Sequence, residues 1–186
     1  RFGAPPRGVA ARAHRGARLL LEPLARNTAA AVAWAAADAL GRGHDGVSGV
    51  FPADHWIAKP AAFAACVRRA ARVAADGECL VLLGIEPTRP DPGYGYLRVP
   101  RRADPRGGLP VERFVEKPSV DKAVEYLAKG NFVWNSGMFC FTADTMVNAL
   151  EQHAPQVLAS ARAALKQAGR QALTPPRVQL ESAAFG

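Results

Sequence analysis

One stretch of the chain constrains its fold more than any other: two short apolar segments that are separated by a helix-length segment. Residues 47–51 and 79–83 are predicted strands, and residues 60–75 between them are a predicted helix. A strand, a helix and a second strand at this spacing form a βαβ unit with a right-handed crossover. Residues 79–83 are apolar at every position, which favours a central parallel strand that is covered on both faces. The pattern predicts an α/β fold.

The rest of the chain extends this unit. Residues 1–18 are rich in Arg, Gly, Ala and Pro and have no hydrophobic period, so they are expected to be an irregular lead-in. No repeat or low-complexity linker divides residues 19–186, which are expected to form one domain. The remaining predicted strands are residues 19–21, 94–99, 112–115 and 132–141, and the remaining predicted helices are residues 28–40, 120–129, 143–153 and 155–169.

Composition and charge argue against two classes of partner. The 186 residues are 49% hydrophobic and 22% charged, which suits a folded domain rather than a disordered chain. The longest weakly polar stretch, residues 28–37, is far shorter than the roughly 20 residues that span a bilayer, so no membrane partner is expected. The net charge of +8 would suit nucleic acid. The arginines are scattered, however, and no aromatic side chains alternate with them, so no nucleic-acid partner is expected.

The cysteines and histidines argue against a disulfide framework and a zinc site. Cys66, Cys79 and Cys140 are an odd number and lie far apart in the sequence. Cys79 and Cys140 lie in apolar runs and are predicted to be buried thiols, which indicates a reducing compartment and a cytoplasmic location. No two of the four histidines have the spacing of a helical metal site.

Two loops place polar residues at the start of a helix or the end of a strand. The first, Glu-Pro-Leu-Ala-Arg-Asn-Thr at residues 22–28, reaches a helix start, where unpaired N–H groups attract anions. Ordinary N-capping by Asn27 explains the same residues. The second, Pro-Ala-Asp-His, follows a predicted strand and places Asp54 as a magnesium ligand that is shared with phosphates. A turn or capping role for Asp54 is the alternative.

Two further loops combine glycine with hydrogen-bonding and charged side chains. Residues 84–96 contain Pro-Thr-Arg-Pro and Gly-Tyr-Gly-Tyr, in which glycine lets backbone amides approach a ligand, although a simple turn uses the same residues. Glu116 and Asn135 supply acceptors and donors for sugar hydroxyls, and Lys117 supplies a charge for a phosphate. Lys117 at a solvated strand end is the structural alternative.

In their order along the chain, these motifs resemble those of the bacterial mannose-1-phosphate guanylyltransferases (GDP-mannose pyrophosphorylases). The motifs are Glu-Pro-x-x-Arg-Asn-Thr, Pro-Ala-Asp-His, Pro-Thr-Arg-Pro with Gly-Tyr-Gly-Tyr, Phe-Val-Glu-Lys-Pro and Trp-Asn-Ser-Gly-Met-Phe, within residues 20 to about 157. The resemblance implies a Rossmann-like nucleotidyltransferase (nucleotide-diphospho-sugar transferase) fold. Its sheet is expected to be mixed and mainly parallel, with helices on both faces, and incomplete at both ends.

The resemblance also implies an activity and a set of site residues. The family joins mannose 1-phosphate to GTP, giving GDP-mannose and pyrophosphate for polysaccharide biosynthesis, and it uses Mg²⁺ and no protein nucleophile. Asp54 is then the metal ligand, and Asp54 and Lys117 are the catalytic residues. The implied nucleotide contacts are Glu22, Asn27 and Thr28, and the implied sugar-phosphate contacts are Tyr94, Gly95, Glu116, Lys117 and Asn135.

The chain also departs from the family pattern. Residues 1–19 do not contain the Gly-Gly-x-Gly-x-Arg loop that cradles the triphosphate, and a second metal-binding aspartate has no counterpart. We therefore expect residues 19–186 to be the central part of a nucleotidyltransferase domain, with little or no transferase activity alone. A non-catalytic sugar-nucleotide binding or regulatory paralogue and a nucleotidyltransferase for another hexose 1-phosphate stay open as alternatives. Free strand edges would favour self-association, so a homo-oligomer is also open.

Overall fold

The computed structural model describes residues 19–21, 28–100, 107–167 and 177–179. The predicted lead-in at residues 1–18 and the predicted nucleotide contacts Glu22 and Asn27 lie outside the described residues. The described strands are β1 (Leu19–Leu21), β2 (Val47–Val50), β3 (Val81–Ile85), β4 (Tyr96–Arg98), β5 (Arg113–Val115), β6 (Phe132–Thr142) and β7 (Arg177–Gln179). The described helices are α1 (Thr28–Gly41), α2 (Pro60–Gly77), α3 (Val120–Lys129), α4 (Ala143–His153) and α5 (Pro155–Gln167).

The chain divides into two compact units, of which the first comprises residues 1–44 and 147–186 and the second residues 45–146. In the first unit, the alanine-rich helix α1 packs against α5 and buries Trp34 almost completely. Small side chains on both helices, such as Ala33 and Ala161, are fully or nearly fully buried and allow close packing. β1 and β7 of this unit pair in parallel, with Leu20 opposite Val178.

The second unit is built around the long strand β6. Cys140 pairs with both β2 and β3, and Trp134 pairs with both β3 and β4. Because a strand has two edges, β3 lies along one edge of β6, and β2 and β4 follow one another along the other edge. β5 pairs with the outer edge of β4. All four of these described pairings are antiparallel.

The expectation of a mainly parallel sheet is therefore wrong for the described strands of this unit. β2 and β3 each run antiparallel to β6, so they point in the same direction, as the βαβ pattern predicts. They are not neighbours, because β6 lies between them. The predicted strand at residues 79–83 is also shifted to Val81–Ile85. It is not covered on both faces, since Ile85 is 47% exposed and β3 pairs only with β6 among the described strands.

Two apolar clusters hold helices against this sheet. Ala70 and Ala74 of α2 pack with Leu83, Met138 and Cys140. Helix α3 contributes Ala123 and Tyr126 to a second cluster that contains Tyr96, Phe132 and Trp134.

The ends of α3 follow from its sequence. Ser119 caps its first turn by accepting a hydrogen bond from the backbone N–H of Lys122, and Gly130 ends it with a φ of 66°. Both ends agree with the prediction. Within the described residues, no helix combines the length and the apolarity that a membrane span requires.

Candidate functional site

The candidate site lies at an opening along one edge of β6. β4 pairs with β6 at residues 132–134, and β2 pairs with the same edge at residues 139–142. Residues 135–138 of β6 lie between these two partners. The backbone N–H of Asn135 donates to the carbonyl of Gly95 at 2.8 Å, and a methyl group on Gly137 would be 3.7 Å from the Pro52 ring. The start of β4 and the loop after β2 therefore border the opening from its two ends.

A bulge in β6 forms the floor of this opening. Between the Leu82–Phe139 pair and the Gly84–Asn135 pair, β3 has one residue and β6 has three. Gly137, inside the bulge, has a φ of 73°, a conformation that other residues rarely adopt. Its N–H donates to the side-chain oxygen of Asn135 at 3.2 Å. The Asn-Ser-Gly motif thus encodes a local break in the strand that also orients the Asn135 amide.

Gly95 and Glu116 are brought together by the β4–β5 pairing. A methyl group on Gly95 would be 2.9 Å from Oε2 of Glu116 and 3.1 Å from the Phe114 ring. Gly95 is buried, whereas the Glu116 side chain is 59% exposed. The backbone of Gly95 and the carboxylate of Glu116 can therefore serve the same ligand.

Lys117 occupies a strained turn directly after β5. Its φ is 41°, a region that costs about 1–3 kcal/mol for a residue with a side chain. Pro118, which follows, is buried and anchors the chain before α3 begins. The ammonium of Lys117 is 3.9 Å from Oε1 of Glu116 and its side chain is 68% exposed. A charge in this position is free to bind an anion such as a phosphate.

The loop before β4 is braced by its own hydrogen bonds. The buried hydroxyl of Tyr96 accepts from the N–H of Asp91 at 3.1 Å and donates to its carbonyl at 2.9 Å. The Asp91 carboxylate accepts from the N–H of Gly93 and from Arg89 at 2.7 Å. The Gly93 bond, followed by the Arg89 bond, lowers the pKa of Asp91, and the same ion pair raises the pKa of Arg89. This network fixes the path of the chain into Gly95.

Tyr94 takes a different place from its glycine neighbour. Its ring lies 4.8 Å from the ring of the buried Trp134, and the Arg89 guanidinium lies 5.5 Å from the same indole. The Tyr94 ring therefore packs against Trp134 while 43% of the residue stays exposed. Tyr94 can offer a ligand at Gly95 its backbone and the exposed part of its ring.

Asp54 lies in the exposed loop that follows β2. Pro52, two residues earlier, is the residue that approaches Gly137. Within the described residues, no group of three or more His, Cys, Asp or Glu side chains could enclose a metal ion. A lone exposed carboxylate nonetheless suits Mg²⁺, which keeps several water ligands and shares the rest with substrate phosphates.

Of the predicted nucleotide contacts, only Thr28 lies within the described residues. Thr28 is exposed and is the first residue of α1, in the first unit. The sugar-phosphate contacts Tyr94, Gly95, Glu116, Lys117 and Asn135 and the carboxylate Asp54 all belong to the second unit.

A cavity of about 530 Å³ is found elsewhere in the second unit. It lies between α2 and the sheet and is mostly apolar, and none of the predicted site residues lines it. Its lining includes Cys66, Arg69, Val73, Leu83, Val99 and Val133.

Sequence reasoning assigned no role to Asp91, Tyr96 or Ser136, although the structure places all three next to the site. Asp-x-Gly, in which an aspartate accepts from a backbone N–H two residues later, is a turn signal that could have identified Asp91. The bulge has one signal in the sequence, a glycine that follows two polar residues between the apolar segments of the strand.

Comparisons with known proteins show the family of this chain. The family model described as "Nucleotidyl transferase" matches residues 11–177. A mannose-1-phosphate guanylyltransferase of Sinorhizobium fredii is 45% identical over 80% of this chain and 29% of its own length. The xanthan biosynthesis protein XanB of Xanthomonas campestris is 46% identical over 75% of this chain and 29% of its own. The alginate biosynthesis protein AlgA of Pseudomonas aeruginosa is 44% identical over 73% of this chain and 28% of its own. The chain thus spans less than a third of the length of these relatives.

Two solved structures have the same fold. A Helicobacter pylori structure described as mannose-6-phosphate isomerase matches 89% of this chain and 61% of its own with a TM-score of 0.78 and 32% identity. A Thermus thermophilus structure described as mannose-1-phosphate geranyltransferase matches 93% of this chain and 55% of its own with a TM-score of 0.76 and 34% identity.

Proposed function

The chain belongs to the nucleotidyl transferase family, and on that premise we propose that it carries the sugar-phosphate half of the active site of a mannose-1-phosphate guanylyltransferase. The reaction would join mannose 1-phosphate to GTP and release pyrophosphate. The names of several relatives, which refer to mannose-1-phosphate guanylyltransferase and to xanthan and alginate biosynthesis, support this substrate pair and a role in polysaccharide biosynthesis.

The observation that carries the proposal is the convergence of four sequence-predicted residues at the opening along β6. The backbone N–H of Asn135 donates to the carbonyl of Gly95, and a methyl group on Gly95 would touch the carboxylate of Glu116. The ammonium of Lys117 lies 3.9 Å from Oε1 of the same carboxylate. A carboxylate and an amide suit sugar hydroxyls, and an exposed ammonium suits the phosphate of the same molecule.

The proposed chemistry needs no protein nucleophile. An oxygen of the sugar phosphate attacks the α-phosphorus of GTP, a new P–O bond forms, and the bond to pyrophosphate breaks. Lys117 would hold and neutralise the attacking phosphate, while Glu116, Asn135 and the Gly95 backbone would fix the hexose. The braced loop before Gly95 would keep the Gly95 backbone in place before the ligand arrives.

Asp54 is proposed as the ligand of a Mg²⁺ ion. When bound, this ion would neutralise charge on the reacting phosphates. The exposed carboxylate of Asp54, on the loop that borders the opening, supports the assignment.

The nucleotide half of the site is proposed at Glu22, Asn27 and Thr28. The helix dipole is positive at the start of α1 and would attract the nucleotide phosphates. Since the triphosphate-binding loop of the family is not recognisable in residues 1–19, we expect the isolated chain to release little pyrophosphate from GTP and mannose 1-phosphate. Rapid release would contradict that expectation.

Calorimetric titration with mannose 1-phosphate tests the proposal. The chain should bind mannose 1-phosphate more tightly than glucose 1-phosphate or inorganic phosphate. Lys117→Ala should weaken binding at least about tenfold, because a charge-assisted hydrogen bond contributes about 1.5–3 kcal/mol. Lys129→Ala is the matched control, since Lys129 is also exposed but pairs with Glu125 on α3. Equal losses in both variants, or no binding by the unaltered chain, would refute the proposal.

We also infer a reducing, cytoplasmic location. All three cysteines lie within the described residues, and all are free thiols. Treatment of intact cells with an alkylating reagent, without prior reduction, should modify the exposed thiol of Cys66. If Cys66 is found in a mixed disulfide instead, the inference is wrong.

A further inference from the structure

We propose that Ser136 is a positioning residue of the sugar-phosphate site, which it serves by holding the bulge in β6 without touching the ligand. This inference rests on the proposed function. Ser136 is 9% exposed, whereas Asn135 beside it is only half-buried. The two neighbours therefore have different roles: Asn135 is available to a ligand and Ser136 is not.

The bulge leaves backbone groups without their usual partners. Leu83 is the single β3 residue that faces three residues of β6, from Ser136 to Met138. An ordinary antiparallel ladder would pair the carbonyl of Leu83 and the N–H of Met138 with the opposite strand. In a buried position both groups need another partner.

The hydroxyl of Ser136 supplies both partners. It donates to the carbonyl oxygen of Leu83 at 2.5 Å and accepts from the N–H of Met138 at 3.2 Å. One side chain therefore satisfies both backbone groups. A hydroxyl can do so because it is a donor and an acceptor at once.

Asn135 is held in place by the bulge that Ser136 maintains. Its backbone N–H bonds to Gly95, and its side-chain oxygen accepts from the N–H of Gly137 inside the bulge. The oxygen of the Asn135 amide is thereby fixed, so its NH₂ group is the end that is presented to a ligand. If the bulge relaxes, the Gly137 N–H moves and the Asn135 amide loses its orientation.

Substitutions at Ser136 and at a second hydroxyl of β6 test this inference. Ser136→Ala and Ser136→Cys remove the strong donor, Cys with little change in volume, and Ser136→Thr keeps the hydroxyl. Thr142→Val is the matched control, because the Thr142 hydroxyl also accepts a backbone N–H, that of Thr145, but lies at the far end of β6. The readouts are the Kd for mannose 1-phosphate, the Kd for GTP, and the hydrogen exchange of the Met138 and Gly137 amides.

We expect Ser136→Ala and Ser136→Cys to raise the Kd for mannose 1-phosphate about tenfold or more, to leave the Kd for GTP unchanged, and to speed exchange at Met138 and Gly137. Ser136→Thr should bind within about threefold of the unaltered chain, and Thr142→Val should bind as the unaltered chain does. If Ser136→Ala does not fold, the Cys variant carries the test. If a folded Ala or Cys variant binds mannose 1-phosphate normally, this inference is overturned and the proposed function is not affected. Failure of the unaltered chain to bind overturns the proposed function, and this inference with it.

Discussion

The carboxylate of Glu116 lies directly against the Cα of Gly95, so that a methyl group on Gly95 would be 2.9 Å from Oε2. β4 and β5 thereby place a backbone segment without a side chain next to an exposed acid. Glycine at residue 95 permits this close approach of the carboxylate, and its backbone angles do not call for glycine.

Replacement of Gly95 by alanine should impair ligand binding more than folding. The Glu116 side chain is exposed and can turn away, so the free energy of unfolding should fall by only about 1 kcal/mol. The displaced carboxylate can then no longer bind a sugar hydroxyl, and the Kd for mannose 1-phosphate should rise about tenfold. Denaturant unfolding and calorimetry measure the two effects. Gly41→Ala is the control, since a methyl group there meets nothing within 4 Å; equal binding losses in both variants would refute the prediction.

Lys117→Gly should have opposite effects on stability and binding. Glycine adopts a φ of 41° without strain, and the relief outweighs its greater flexibility in the unfolded chain, so stability should rise by about 0.5–1 kcal/mol. Binding of mannose 1-phosphate should be lost with the ammonium. Glu78→Gly is the matched control, because Glu78 has a φ of 46° at the end of α2. Glu78→Gly should gain stability and still bind mannose 1-phosphate. If both variants lose stability, the positive φ does not strain the backbone at these residues.

The braced loop at Asp91 should loosen in acid. The Gly93 N–H and the Arg89 ion pair hold the pKa of Asp91 below its ordinary value of 3.8. A carboxyl whose pKa is lowered by folding stabilises the folded state above its unfolded pKa, and this stabilisation is lost as the pH falls through the folded pKa. The protection of the Gly93 amide, which is its exchange rate compared with the intrinsic rate at the same pH, should therefore be high above about pH 4 and fall below it. Asp91→Asn should exchange faster at neutral pH and lose this acid dependence; an unchanged profile would argue against the role of the carboxylate.

Much of the local structure was predictable because local rules decide it. Ser119 and Gly130 flank an amphipathic helix, and α3 begins and ends as they indicate. The five motifs also identified the family and the residues that the structure brings together at β6. Those features depend on neighbours in sequence or on the order of motifs.

The remaining features depend on long-range pairing. Apolar residues 79–83 suit a central parallel strand, but β6, about fifty residues later, lies between β2 and β3 and pairs antiparallel with both. Burial alternates along β6 through the bulge as it does in a regular strand, so the only mark of the bulge in the sequence is the short run Asn135-Ser136-Gly137 between two apolar segments. The positive φ of Lys117 was not predictable from its neighbours, because the residue before a proline is ordinarily extended.

The most direct test of the account is an NMR titration of the isotope-labelled chain with mannose 1-phosphate. If one sugar-phosphate site lies at the opening along β6, the amide signals of Gly95, Glu116, Lys117 and Asn135 shift together and saturate with a single Kd. Shifts confined to the cavity beside α2, or no saturable shift at these four residues, would contradict it.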